Sequence, residues 1–103
     1  MEKIVYDSLL YGRENAIPSA VLVNMHLFSS TRELQRQIER ERAAGAVILS
    51  DPHGAGYYRS TDPRELRQFI RTMYTRAGNT LRAAESAQRA LDEIAWRNSS
   101  KGE

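Results

Sequence analysis

The sequence predicts a mainly α-helical fold with one small β-hairpin and a long C-terminal helix. Three observations predict it. "STRELQRQIERERAAG" opens on a capping pattern and closes on glycine, as a self-contained helix does. "AVILSDPHGAGYYRS" places turn chemistry between two short apolar runs. From Asp62 onward, apolar residues recur at alternating three- and four-residue steps over roughly four heptads.

Taken in order, Lys3 to Tyr11 carries Val5, Tyr6, Leu9 and Leu10 at helical spacing and meets Gly12, which predicts a short helix with glycine at C′. "RENAIPSAVLVNMHLF" predicts a second short helix starting at Pro18, with Val21, Leu22, Met25 and Leu27 as its apolar set. Isolated Ile17 is a candidate minor strand beside the hairpin. Ser30 and Glu33 form a Ser-x-x-Glu capping box, so a third helix is expected over residues 31–44, ended by Gly45. Leu34 and Ile38 lie one turn apart on its inner face. Steps of 100° per residue then put Arg32, Arg36, Glu39, Arg40 and Ala43 on the outer one.

The hairpin is expected over residues 46–60, with one of Tyr57 and Tyr58 in the core and the other exposed, because side chains alternate along a strand. The final helix is predicted over 62–97, with Pro63 in its first turn and a frayed tail at 98–103. Leu66, Met73, Thr80, Ala87 and Ile94 repeat every seven residues, interleaved with Ile70, Ala77, Ala84 and Leu91. Gly78-Asn79 is the flaw, since glycine inside a helix costs about 1 kcal/mol relative to alanine. A kink or a break is expected there.

Composition narrows the function classes. The 103 residues make one small domain, with no room for a separate effector or catalytic domain. The absence of cysteine removes disulfides, thiolate metal sites and cysteine nucleophiles, and fits a reducing compartment. "MEKIVYDSLLYGREN" has no long apolar run behind a basic start, so a soluble, cytoplasmic protein is expected. Net charge is only +2, yet thirteen arginines stand against two lysines. Arginine grips phosphate or a guanine edge with two hydrogen bonds, which favours an anionic partner. A GC-rich genome that writes arginine for lysine produces the same bias. No nucleophile–base pair, paired acids or phosphate loop stands out, so no enzyme activity and no cofactor are expected. His26 and His53 lack a third ligand, and no metal is expected.

The order helix, helix, helix, hairpin, long helix is that of a winged helix-turn-helix, in which the third helix enters the DNA major groove and the hairpin, or wing, lies on the backbone. From Ile17 to Tyr58 the chain resembles the DNA-binding domain of the biotin repressor type, also similar to winged-helix domains of phage and prophage proteins. "AAGAVILSDPHGAGYY" carries the likeness, through Gly45, Gly56 and Tyr57. Where that family has an apolar residue this chain has Glu41, a charge that needs a partner near the core. No ligase domain is expected, so biotin chemistry is not implied, and the long helix has no counterpart in that DNA-binding domain.

The expectation is therefore a duplex DNA-binding homodimer, a small transcriptional regulator or phage-type replication accessory. Residues 1–61 form the winged helix, and 62–97 form a helix that pairs. The DNA-facing candidates are Ser30, Thr31, Arg32, Gln35, Arg36, Arg40, His53 and Arg59. Thr31 and Gln35 stand near the helix start, where base edges are read, and Arg59 on the wing's outgoing strand. The candidate dimer seam is Leu66, Ile70, Met73, Ala77, Leu81, Ala84, Leu91 and Ile94. Two alternatives stay open: a protein-interaction module that uses the winged helix as a docking platform, and a long helix whose second half folds back on its own domain.

Overall fold

Between Ile4 and Tyr58 the chain packs three helices and a two-stranded hairpin around one small core, and a single helix follows. The computed structural model describes residues 2 to 101. The elements are α1 (Ile4–Ser8), a 3-10 turn (Arg13–Asn15), α2 (Ser19–Met25), α3 (Thr31–Ala43), β1 (Leu49–Ser50), β2 (Tyr57–Tyr58) and α4 (Pro63–Lys101). The protein is thus mainly α-helical with one small antiparallel hairpin, as expected. Among the described residues no helix is long and apolar enough to cross a membrane. The chain divides into two compact units, one running to Phe69 and one starting at Ile70.

The core of the first unit is made by Val5, Leu9, Leu22, Leu34, Ile38, Ala46 and Ile48, with Tyr6, Ile17, Val23, Phe28 and Tyr57 packed against it. Leu9, Leu22, Leu34 and Ile48 are fully removed from water, which favours folding by about 1.5–3 kcal/mol for each such side chain. Against that, the predicted apolar set of α2 is corrected. Leu22 is buried, but Val21 and Met25 are about half exposed and Leu27 is 90% exposed. A seven-residue helix turns only one narrow stripe toward so small a core.

α1 is shorter than predicted. It ends at Ser8, Leu9 is extended, and Gly12 is not its C′ residue but opens the 3-10 turn at φ 94°. The residues between are taken by the sheet: Tyr11 forms a parallel bridge with Arg59, and Ile17 an antiparallel bridge with Tyr57. The minor strand expected at Ile17 is present. The strands pair Leu49 with Tyr58 and Ser50 with Tyr57, and Tyr58 is the buried tyrosine while Tyr57 is half-buried.

Two helices end in the same way. After α3 the N–H of Ala46 donates to Glu41 O, and Gly45 N–H to Arg42 O, with Gly45 at φ 104°. After α2 the N–H of Phe28 donates to Val23 O, and Leu27 N–H to Asn24 O, with Leu27 at φ 56°. Both are Schellman motifs, whose C′ residue must be left-handed. Glycine fills one at no steric cost and leucine fills the other.

The N–H of Arg64 donates to Asp62 Oδ1 at 2.9 Å, which supplies the cap that starts α4. The helix is unbroken through Gly78-Asn79 and continues past Arg97 to Lys101, so the expected break and the frayed start of "NSSKGE" give way to helix. Gly102 and Glu103 lie outside the described residues.

Candidate nucleic-acid interface

α3 begins where its sequence places it. The Ser30 backbone is extended, and its Oγ accepts from Glu33 N–H at 3.1 Å. The reciprocal half of the capping box is shifted by one residue: the Glu33 carboxylate accepts from Ser29 N–H at 2.6 Å and from Ser29 Oγ–H. Those bonds, the side-chain one first, hold the Glu33 carboxyl below its ordinary value, with Arg40 adding a smaller attraction.

The helix has two chemically distinct sides. Leu34, Ile38 and Glu41 are buried, while Thr31, Arg32, Gln35, Arg36, Glu39, Arg40 and Ala43 are all exposed. Arg32, Arg36 and Arg40 follow one another at four-residue steps, about 6 Å along the axis at 1.5 Å per residue. Among the described residues Arg32 and Arg36 have no hydrogen-bond or ion-pair partner, and Arg40 Nη2–H donates to Gln37 Oε1 at 2.8 Å.

Glu41 is the charge that the sequence leaves without an explanation. It is wholly buried. Its Oε2 accepts from Val5 N–H at 3.1 Å and its Oε1 from Tyr6 N–H at 2.9 Å, both in the first turn of α1. Gln37 Nε2–H donates to Oε2 at 2.9 Å. A helix N-terminus carries unpaired N–H groups and a partial positive charge, so a carboxylate there replaces the water the groups lost. Arg40, Gln37 and Glu41 therefore connect the outer face of α3 to the backbone of α1.

The hairpin is anchored at its turn. Asp51 carboxylate oxygens accept from Ala55 N–H at 3.1 Å and from Arg13 Nε–H at 2.9 Å, with Arg13 Nη2 at 2.7 Å from Oδ1. Burial pushes the Asp51 carboxyl up, but the Ala55 and His53 N–H groups and the Arg13 guanidinium outweigh it and hold the group below its ordinary value. Arg13 N–H in turn donates to Glu65 Oε2 at 3.0 Å. Gly56, at φ 124°, lies where a Cβ would stand 2.0 Å from Ile17 O, so only glycine lets the bridge at Tyr57 form.

Of the hairpin's candidate residues, His53 is exposed in the turn. Arg59 is half-buried, its guanidinium 5.0 Å from the Tyr6 ring centre and 4.6 Å from that of Tyr11, with a buried Nε lacking a hydrogen-bond partner. It is shared between two aromatic faces, an arrangement favoured by the ring quadrupole. His26 is not near such a role: its Nε2 is 3.0 Å from Ser8 Oγ and its ring is tilted against Phe28.

Sequence reasoning missed three positioning residues. Arg13 ties the turn of the hairpin, and Glu65 ties Arg13. Arg42 donates to Ile48 O through Nε–H and Nη2–H at 3.0 and 2.7 Å and lies over the Phe69 ring. The 100° arithmetic that gathers Arg32, Arg36 and Arg40 leaves Arg42 off their face, which is the available signal. No protein-family model, curated protein or solved structure matches the chain.

Proposed function

We propose that this protein binds duplex DNA as a homodimer, with α3 as the recognition helix in the major groove and the β1–β2 hairpin as a wing on the backbone. In this reading it is a small transcriptional regulator or phage-type replication accessory of winged-helix type. The observation that carries it is the exposed arginine row of α3, Arg32, Arg36 and Arg40, opposite a face that is fully buried. Arg32 and Arg36 have no hydrogen-bond or ion-pair partner among the described residues, so both guanidinium groups are available to an anionic partner. Thr31 and Gln35, exposed in the first turns, have the reach and chemistry to read base edges. Dimerisation through α4 adds the second set of phosphate contacts that one domain of this size lacks.

A second reading has its own support. Val21, Met25 and Leu27 leave apolar surface at the end of α2, which suits a protein-docking platform. Salt separates the two, because each phosphate the protein neutralises steepens the log–log salt dependence of binding by about 0.9, and apolar docking has no such term.

The test is fluorescence anisotropy of a random-sequence duplex at two salt concentrations, with Arg36→Ala/Arg40→Ala as the comparison. Binding that collapses at the higher salt, and a double variant that binds more weakly at unchanged thermal stability, is the expected result. Salt-insensitive binding, no binding at low salt, or a double variant that binds as the parent does would remove the proposal.

A further inference from the structure

We infer that α4 pairs antiparallel with α4 of a second copy, the two-fold axis passing at Arg82; this rests on the homodimer reading above. Within the second unit Ile70, Leu91 and Ile94 are 49%, 59% and 54% exposed. They lie on the 3-4 seam, an apolar stripe about 36 Å long from Ile70 to Ile94 at 1.5 Å per residue. A two-fold axis makes a surface meet itself reversed, so the stripe must match its own reversal. It does.

Rotation about residue 82 sets each residue n against 164 − n and lays the helix on itself from end to end. Large residues then meet large ones at the ends, Ile70 against the partner's Ile94 and Met73 against the partner's Leu91. In the middle Ala77 meets the partner's Ala87, where small side chains let the helices approach.

A parallel pair would also match sizes, and charge decides between the two. From Ile70 to Arg82 the helix has three arginines, Arg71, Arg76 and Arg82, and no acid. Beyond Arg82 come Glu85, Asp92 and Glu93, which with Arg89 and Arg97 make that half nearly neutral, whereas the part before Ile70 adds Arg64 and Arg67 against Glu65 alone. Parallel pairing sets the two basic halves side by side, and over distances comparable to a Debye length their repulsion is only partly screened. Antiparallel pairing sets each basic half beside an acid-bearing one, with Arg71 at the level of the partner's Glu93.

The chain has no cysteine, so single cysteines report proximity directly. In a thiol–disulfide redox buffer, Ala77→Cys mixed with an affinity-tagged Ala87→Cys should give a mixed disulfide. Ala77→Cys alone should give none, because two copies of that residue lie about 15 Å apart along the axis. Sedimentation of the unmodified chain is run beside it. A dimer with the mixed disulfide supports the inference. A dimer in which Ala77→Cys links to itself, or in which neither product forms, overturns the antiparallel register and leaves the homodimer standing. A monomer overturns both.

Discussion

Replacing Glu41 with glutamine changes one oxygen for an amide nitrogen and almost no volume, yet it should be among the costlier single substitutions in this chain. The carboxylate accepts three hydrogen bonds in a site with no exposure, two of them from the backbone of α1. Glutamine keeps one acceptor, so at least one N–H, of Val5 or Tyr6, faces a donor. A buried donor left unsatisfied costs about 1–3 kcal/mol, and the surviving bonds lose their charge assistance. A loss of about 2–3 kcal/mol is expected for Glu41→Gln. Glu41→Ala, which orphans both N–H groups and opens a cavity, should lose about 4 kcal/mol or more. A unit of this size holds on the order of 3–10 kcal/mol in total, so the alanine variant stands close to unfolding and the glutamine variant is the one to measure. The assay is urea unfolding followed by circular dichroism, with the slope compared between variants. A midpoint for Glu41→Gln indistinguishable from the parent, at equal slope, would falsify the assignment of Glu41 as the cap of α1.

Three further outcomes are expected. Gly56→Ala should lower stability by about 2 kcal/mol or more, since a Cβ at φ 124° meets Ile17 O at 2.0 Å and a left-handed alanine is itself strained; a thermal melt unchanged from the parent counts against the close approach. Leu27→Asn should raise stability by about 0.5–1 kcal/mol, because the left-handed C′ position suits asparagine and little buried area is lost at 90% exposure; a destabilised variant would mean the leucine is held by packing. The folded-state Asp51 carboxyl lies below its unfolded value of 3.8, so its contribution is present above that pH and disappears as pH falls through the lower folded value. Asp51→Asn should flatten that part of the acid limb of a stability–pH profile, and an identical limb would exclude the Arg13–Asp51 pair as its source.

What the sequence makes legible is what local chemistry decides. α3 announces itself because a capping serine, a left-handed glycine and the Leu34–Ile38 step are contained within sixteen residues. The outer arginine row follows from helix geometry alone. α1 is overextended by its periodicity because its end is set from a distance: Arg59, just after β2, takes Tyr11 into a bridge, and no residue near Leu9 signals it. Gly78 looks like a flaw yet breaks nothing, because helix propensity is a weak prior and one glycine does not outweigh the good helix formers around it. Glu41 plainly needs a partner, but backbone N–H groups 35 and 36 residues away carry no side-chain signature. The same blindness hides Arg13 and Arg42, which act on a carboxylate in the hairpin turn and on a main-chain carbonyl.

The Glu41 cap also sets an order of events on the ribosome. A five-residue helix does not persist alone in water, and the acceptor that completes α1 belongs to a residue translated more than thirty positions later. α1 therefore waits, unformed, for α3 to emerge and fold, and during that interval Val5 and Leu9 are open to whatever receives a nascent chain.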